Sequence, residues 1–67
     1  ARATLQTILD GMPEDLRVVF VLFELERLTM IEIARMIGVP AGTVASRLRR
    51  AREIFLSRAE REGGGAR

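Results

Sequence analysis

Apolar residues recur along this chain at helical rather than strand spacing. Leu5, Ile8 and Leu9 form a first short set, which predicts a helix over residues 4–9. Gly11 and Pro13 break it. Leu16, Val19, Phe20 and Phe23 make a second stripe, predicting a helix from Glu14 to about Glu26. Glu14 and Asp15 open that helix, where negative charge suits the positive end of the dipole. The β-branched residues here would also suit a strand, but the i, i+3, i+4 spacing and the flanking acids favour a helix. Val18, Val21, Leu22 and Leu25 widen its apolar surface beyond one stripe. They are candidates for a partner-binding face, unless the first helix and the end of the last one cover them.

The second half of the chain carries sharper signals. Thr29 and Glu32 have the spacing of a capping box, in which hydroxyl and carboxylate each accept from the other residue's amide. A third helix follows, with Met30, Ile33, Ala34 and Ile37 facing inward. Gly38 ends it as a left-handed C-cap. Pro40 cannot extend that helix but suits the first position of the next. The fourth helix is predicted from about Pro40 to Glu60, and the Gly63-Gly64-Gly65 run reads as part of a flexible tail over 63–67. The expected fold is all-α: one four-helix domain over 1–62, its last two helices forming a C-terminal helix-turn-helix.

Composition narrows the function. Sixty-seven residues make one small domain. With no Cys and no His, disulfides and the usual zinc sites are excluded, and no metal or cofactor is expected. The absence of Cys, His, Lys and Tyr, with no evident pair of carboxylates, argues against an enzyme. No small-molecule ligand is indicated. The longest apolar run, Val18 to Phe23, is six residues, too short to span a membrane. No leader pattern opens the chain, and a cytoplasmic location is expected. The chain begins with Ala rather than Met, as a piece of a longer protein would.

The net charge of +2 conceals an asymmetry. Residues 1–40 carry four Arg against six Asp and Glu; residues 41–67 carry seven Arg against three Glu. Every basic side chain is Arg, whose planar fork suits phosphates and guanine edges. Four of them, Arg47, Arg49, Arg50 and Arg52, fall within six residues of the fourth helix. At 100° per residue from Val44, Leu48, Ala51 and Phe55 fall within about 40° and form the core face. Gly42, Thr43, Ser46, Arg49, Arg50 and Glu53 lie opposite, with Arg47 and Arg52 at the flanks. A first turn made of Ala41, Gly42 and Thr43 is thin enough to enter a major groove about 12 Å wide. Its amides can approach a phosphate, and Thr43 adds a hydroxyl. Ser46 and the arginines are of types that read base edges. An arginine cluster alone is commonly just a solvated face; the small Ala34, which allows a close helix crossing, and the Gly-x-Pro break make DNA the better reading.

The run MPEDLRVVFVLFELERLTMIEIARMIGVPAGTVASRLRRARE resembles region 4 of bacterial sigma factors of the extracytoplasmic-function group. The residues that carry the resemblance are Met12-Pro13, Leu28-Thr29 with Glu32-Ile33-Ala34, and the Gly38 to Val44 turn leading to Ser46-Arg47-Leu48 and Arg50-Ala51-Arg52. It covers residues 5 to about 60 and extends to region 4 only. The resemblance implies binding of double-stranded promoter DNA at the −35 element, within an RNA polymerase holoenzyme. Gly42, Thr43, Ser46, Arg47, Arg49, Arg50 and Arg52 would then contact DNA, with Arg17 at a phosphate. Another surface would dock on the β flap of the polymerase core or be covered by an anti-sigma factor; Val18, Val21, Leu22 and Leu25 are its candidates. Three departures stand out. Ala45 replaces a frequent Lys or Arg, Met12 replaces a usual Leu, and Leu25-Glu26-Arg27 replaces a segment that more typically contains Gly. Two other readings fit the helices: a regulator of another helix-turn-helix type, such as a LuxR-like output domain, and a protein-interaction module without DNA binding.

Overall fold

A computed structural model describes residues 4–62, and the tail expected over 63–67 lies outside them. The described residues form four helices and no strand. Helix α1 spans Leu5–Asp10 and is capped by the Thr4 hydroxyl, which accepts from the Thr7 amide. Pro13 precedes α2, Glu14–Phe20, and its carbonyl accepts the Leu16 and Arg17 amides at 3.1 and 2.9 Å.

The second helix departs from the expected continuous α-helix. Its α portion stops at Phe20, and Val21–Leu25 continue as a π-helix. The cause lies in how the helix closes. Arg27 has φ 66°, a left-handed backbone. The Leu28 amide returns to the Leu22 carbonyl at 3.0 Å, and the Glu26 amide to Val21 at 3.0 Å. This is a left-handed C-terminal closure one residue wider than the common form. The wider turn draws the preceding amides to carbonyls five residues back, as π-turns at helix ends do.

Helix α3, Met30–Ile37, begins with the expected capping box: Glu32 Oε1 accepts from the Thr29 amide at 2.8 Å, and Thr29 Oγ1 from the Glu32 amide at 3.1 Å. It ends on Gly38 at φ 75°. The Gly38 and Val39 amides both donate to the Ala34 carbonyl, at 2.9 and 3.1 Å. Helix α4, Ala41–Glu62, starts about where expected and runs two residues past the expected end at Glu60. Pro40 sits just before it, its carbonyl accepting from Thr43 and Val44. At 22 residues, α4 is about 33 Å long, and the other three helices pack along it.

The core is Ile8, Leu9, Met12, Leu16, Val19, Phe20, Ile33, Val44, Leu48 and Ala51. Val19, Ile33, Val44 and Leu48 are its largest fully buried side chains, each stabilising the fold by roughly 1.5–3 kcal/mol. Phe20 stacks on Phe55 at 5.2 Å between centroids, joining α2 to the second half of α4. The core face expected of α4 is therefore the observed one, and it fixes which side of that helix faces outward. No helix among the described residues is long and apolar enough to cross a membrane.

Candidate nucleic-acid interface

The outward face of α4 is set by Val44, Leu48 and Ala51 being buried against α2 and α3. Gly42, Ser46, Arg49 and Arg50 are exposed on it, and Thr43 is half-buried. Gly42 meets nothing within 4 Å where a Cβ would stand. Its missing side chain thus fills no packing need and leaves the first turn thin. Among the described residues, neither Arg49 nor Arg50 has a carboxylate within salt-bridge distance. Their charge is free for an external anion.

The flanking arginines differ. Arg47 is half-buried, with Nε 4.0 Å from the Asp15 carboxylate of α2. Arg52 donates from Nε to Glu24 Oε2 at 2.6 Å and lies 5.5 Å from the Phe23 ring centroid. It is thus held against the π-helical end of the second helix. Arg17 also turns inward in part: its Nη1 donates to the Leu9 and Met12 carbonyls at 3.4 Å each, bridging the end of α1 and the turn before α2. The structure therefore gathers Gly42, Thr43, Ser46, Arg49 and Arg50 on one free face. It places Arg47 and Arg52 on opposite flanks with protein partners and Arg17 at the α1–α2 turn. Glu24 and Phe23 were not expected from the sequence as partners of Arg52. They lie 28 and 29 positions away, and no local spacing announces such a pair.

The candidate partner residues are only partly covered by the rest of the fold. Val18, Val21 and Leu22 are half-buried, and with Arg17 they line one shallow apolar depression. Leu25 is 48% exposed and belongs to a different groove, with Leu5, Phe20, Phe55 and Leu56, rimmed by Glu24 and Arg52. The four residues thus divide between two apolar surfaces.

Residues 2–55 match the family described as sigma-70, region 4. The chain belongs to that family. It is 49% identical over 47 residues to the ECF RNA polymerase sigma-E factors of Escherichia coli (strain K12) and Salmonella typhi, which takes in 70% of this chain and 25% of each of those proteins. It is 45% identical over 53 residues to the RNA polymerase sigma-H factor of Pseudomonas aeruginosa, covering 79% of this chain and 28% of that protein. The chain spans about a quarter of the length of these curated relatives. These similarities support region 4 of an extracytoplasmic-function sigma factor and set aside the LuxR-like alternative. They also account for the helix-turn-helix formed by α3 and α4. Region 4 is a family of DNA-binding domains, not of enzymes.

Proposed function

We propose that this domain binds the −35 element of promoter DNA as region 4 of a sigma factor, within an RNA polymerase holoenzyme in the cytoplasm. The observation that carries the reading is the free face of α4, where unpaired Arg49 and Arg50 stand beside Gly42, Thr43 and Ser46. Helix α4 would enter the major groove by its thin first turn, as the second helix of a helix-turn-helix does. Ser46, Arg49 and Arg50 would face base edges and phosphates. Arg47, Arg52 and Arg17 would contribute from the edges, each sharing its charge with the protein partner that holds it. Ala45, exposed and without a polar group, would leave the base reading to its neighbours.

Binding of a −35 duplex, followed by fluorescence anisotropy across a salt series, tests the proposal. Phosphate neutralisation makes log K fall linearly with log salt. Arg49→Ala and Arg50→Ala should each weaken binding far more than Arg61→Ala near the end of α4. Equal losses at all three would mean diffuse polyelectrolyte attraction, and a salt-independent affinity would sink the proposal.

The apolar depressions favour a second role for the same domain. Val18, Val21 and Leu22 are spaced as anchors for an amphipathic helix. The β flap of the polymerase core is the partner this reading assigns to them, with Leu25 in the neighbouring groove. An anti-sigma factor would compete for the same surfaces.

A further inference from the structure

Arg27 makes no salt bridge among the described residues, and its backbone is one that a side chain disfavours. At φ 66° it is the only non-glycine residue with positive φ among the described residues. A Cβ in this region crowds the following carbonyl, so glycine is the usual occupant. The closure of the second helix, with Leu28 returning its amide to Leu22, accounts for the left-handed backbone. It does not account for the residue, since glycine would close the helix with less strain. A strained position occupied by a charged residue points to a use for the charge.

Among the described residues, no carboxylate pairs with that charge. Arg27 is exposed. Glu24, which shares its shallow cleft, is engaged by Arg52 at 2.6 Å. Glu32 is engaged by the Thr29 amide at 2.8 Å. Arg27 stands two residues before Thr29, the N-cap of α3. In a helix-turn-helix the first helix crosses the sugar-phosphate backbone while the second occupies the major groove. On that geometry, the segment leading into α3 would lie at the rim of the groove that α4 enters.

From this geometry we infer that Arg27 is a DNA phosphate contact, flanking the surface read by α4. The inference rests on the proposed DNA-binding function. It adds a residue on the other side of the helix-turn-helix, one that positions the duplex without reading its sequence.

Three variants, Arg27→Gly, Arg27→Lys and Arg50→Ala, test it on a −35 duplex and on a scrambled duplex over a salt series. Arg27→Gly should melt at or above the parent temperature, because strain is relieved. Its affinity should nevertheless fall, by the same factor on both duplexes, because phosphate contacts carry no sequence information. The slope of log K against log salt should shrink by about 0.9, the value of one phosphate contact. Arg27→Lys should keep most of the slope. An Arg27→Gly protein with the parent's slope and affinity overturns the inference, while a loss in Arg50→Ala alongside it leaves the wider reading standing. A lower melting temperature in Arg27→Gly would overturn the strain argument. If the parent binds neither duplex, both readings fall together.

Discussion

Gly38 joins the two helices of the helix-turn-helix, and its substitution isolates a backbone cost from a packing cost. It adopts φ 75° and ψ 35°, and a Cβ built there meets nothing within 4 Å. Replacing it with L-Ala therefore creates no clash with a neighbour. What remains is the left-handed penalty for an L-residue, about 1–2 kcal/mol. Against it stands the smaller conformational freedom of unfolded Ala, about 0.4–1 kcal/mol. The balance for Gly38→Ala is a loss of about 1 kcal/mol. In a domain of this size that corresponds to about 4–8 °C in melting temperature. Gly38→Val should lose more, since β-branched side chains tolerate positive φ worst, and should lose DNA binding as the fold melts. The decisive comparison is D-Ala at position 38, accessible by chemical synthesis. Its mirror-image side chain favours positive φ, so it keeps the entropic gain without the penalty and should melt above the parent. Circular dichroism at 222 nm through a thermal ramp measures all four proteins. If the L-Ala and D-Ala forms melt together, the backbone argument is wrong. If Gly38→Val melts with the parent, the turn is not where α3 and α4 meet.

The contacts at the second helix carry further predictions. Arg52→Ala should destabilise the domain by roughly 1 kcal/mol in urea melts, from an ion pair that is only partly shielded and a cation–π contact. Glu24→Gln should cost less, and the double variant should cost less than the two single losses added; strict additivity would mean that the 2.6 Å contact is energetically idle. Arg52→Ala should also weaken DNA binding less than Arg50→Ala, because Arg52 is held by Glu24 whereas Arg50 has no carboxylate partner among the described residues. Finally, Val18→Ser with Leu22→Ser should weaken capture of the polymerase β flap while leaving −35 duplex affinity within about twofold. If flap capture is unchanged, or if both activities fall together with the melting temperature, the assigned surface is wrong.

Much of this fold was legible because its signals are local. Thr29 and Glu32 announce the start of α3 within four residues, and both capping bonds form. Gly38 announces its end, and the left-handed backbone is there. The α4 stripe of Val44, Leu48 and Ala51 needed only the period of the helix, and these residues are buried. The end of the second helix was not legible for the opposite reason. Helical periodicity runs through Val21–Leu25 whether the hydrogen bonds close four or five residues back. The left-handed residue that decides between them is an arginine, not the glycine that usually marks such a site. The hydrogen-bonding role of one residue can also decide a boundary. Pro40 has the dihedral restriction of a first helical residue, yet its carbonyl position makes it the residue before the helix.

The arginine cluster shows a second limit of one-dimensional reading. Angular position on α4 places Arg47 and Arg52 symmetrically about the outward face, but it cannot tell what stands opposite them. The packing of α2 against α4 supplies the answer. It sets Asp15 against one flank and Glu24 with Phe23 against the other. The four arginines are thereby sorted into two roles by the acidic residues of α2 and its π-helical continuation, which share an N-terminal segment richer in acid than in base. Arg52 ties α4 to the second helix and Arg47 lies near Asp15 at 4.0 Å, while Arg49 and Arg50 have no carboxylate partner among the described residues. The charge asymmetry between the two halves of the chain is therefore a working part of the fold. Acid from the first half stands at the flanks of the basic helix and, among the described residues, leaves Arg49 and Arg50 unpaired at its centre, where the proposed groove-binding helix would need charge.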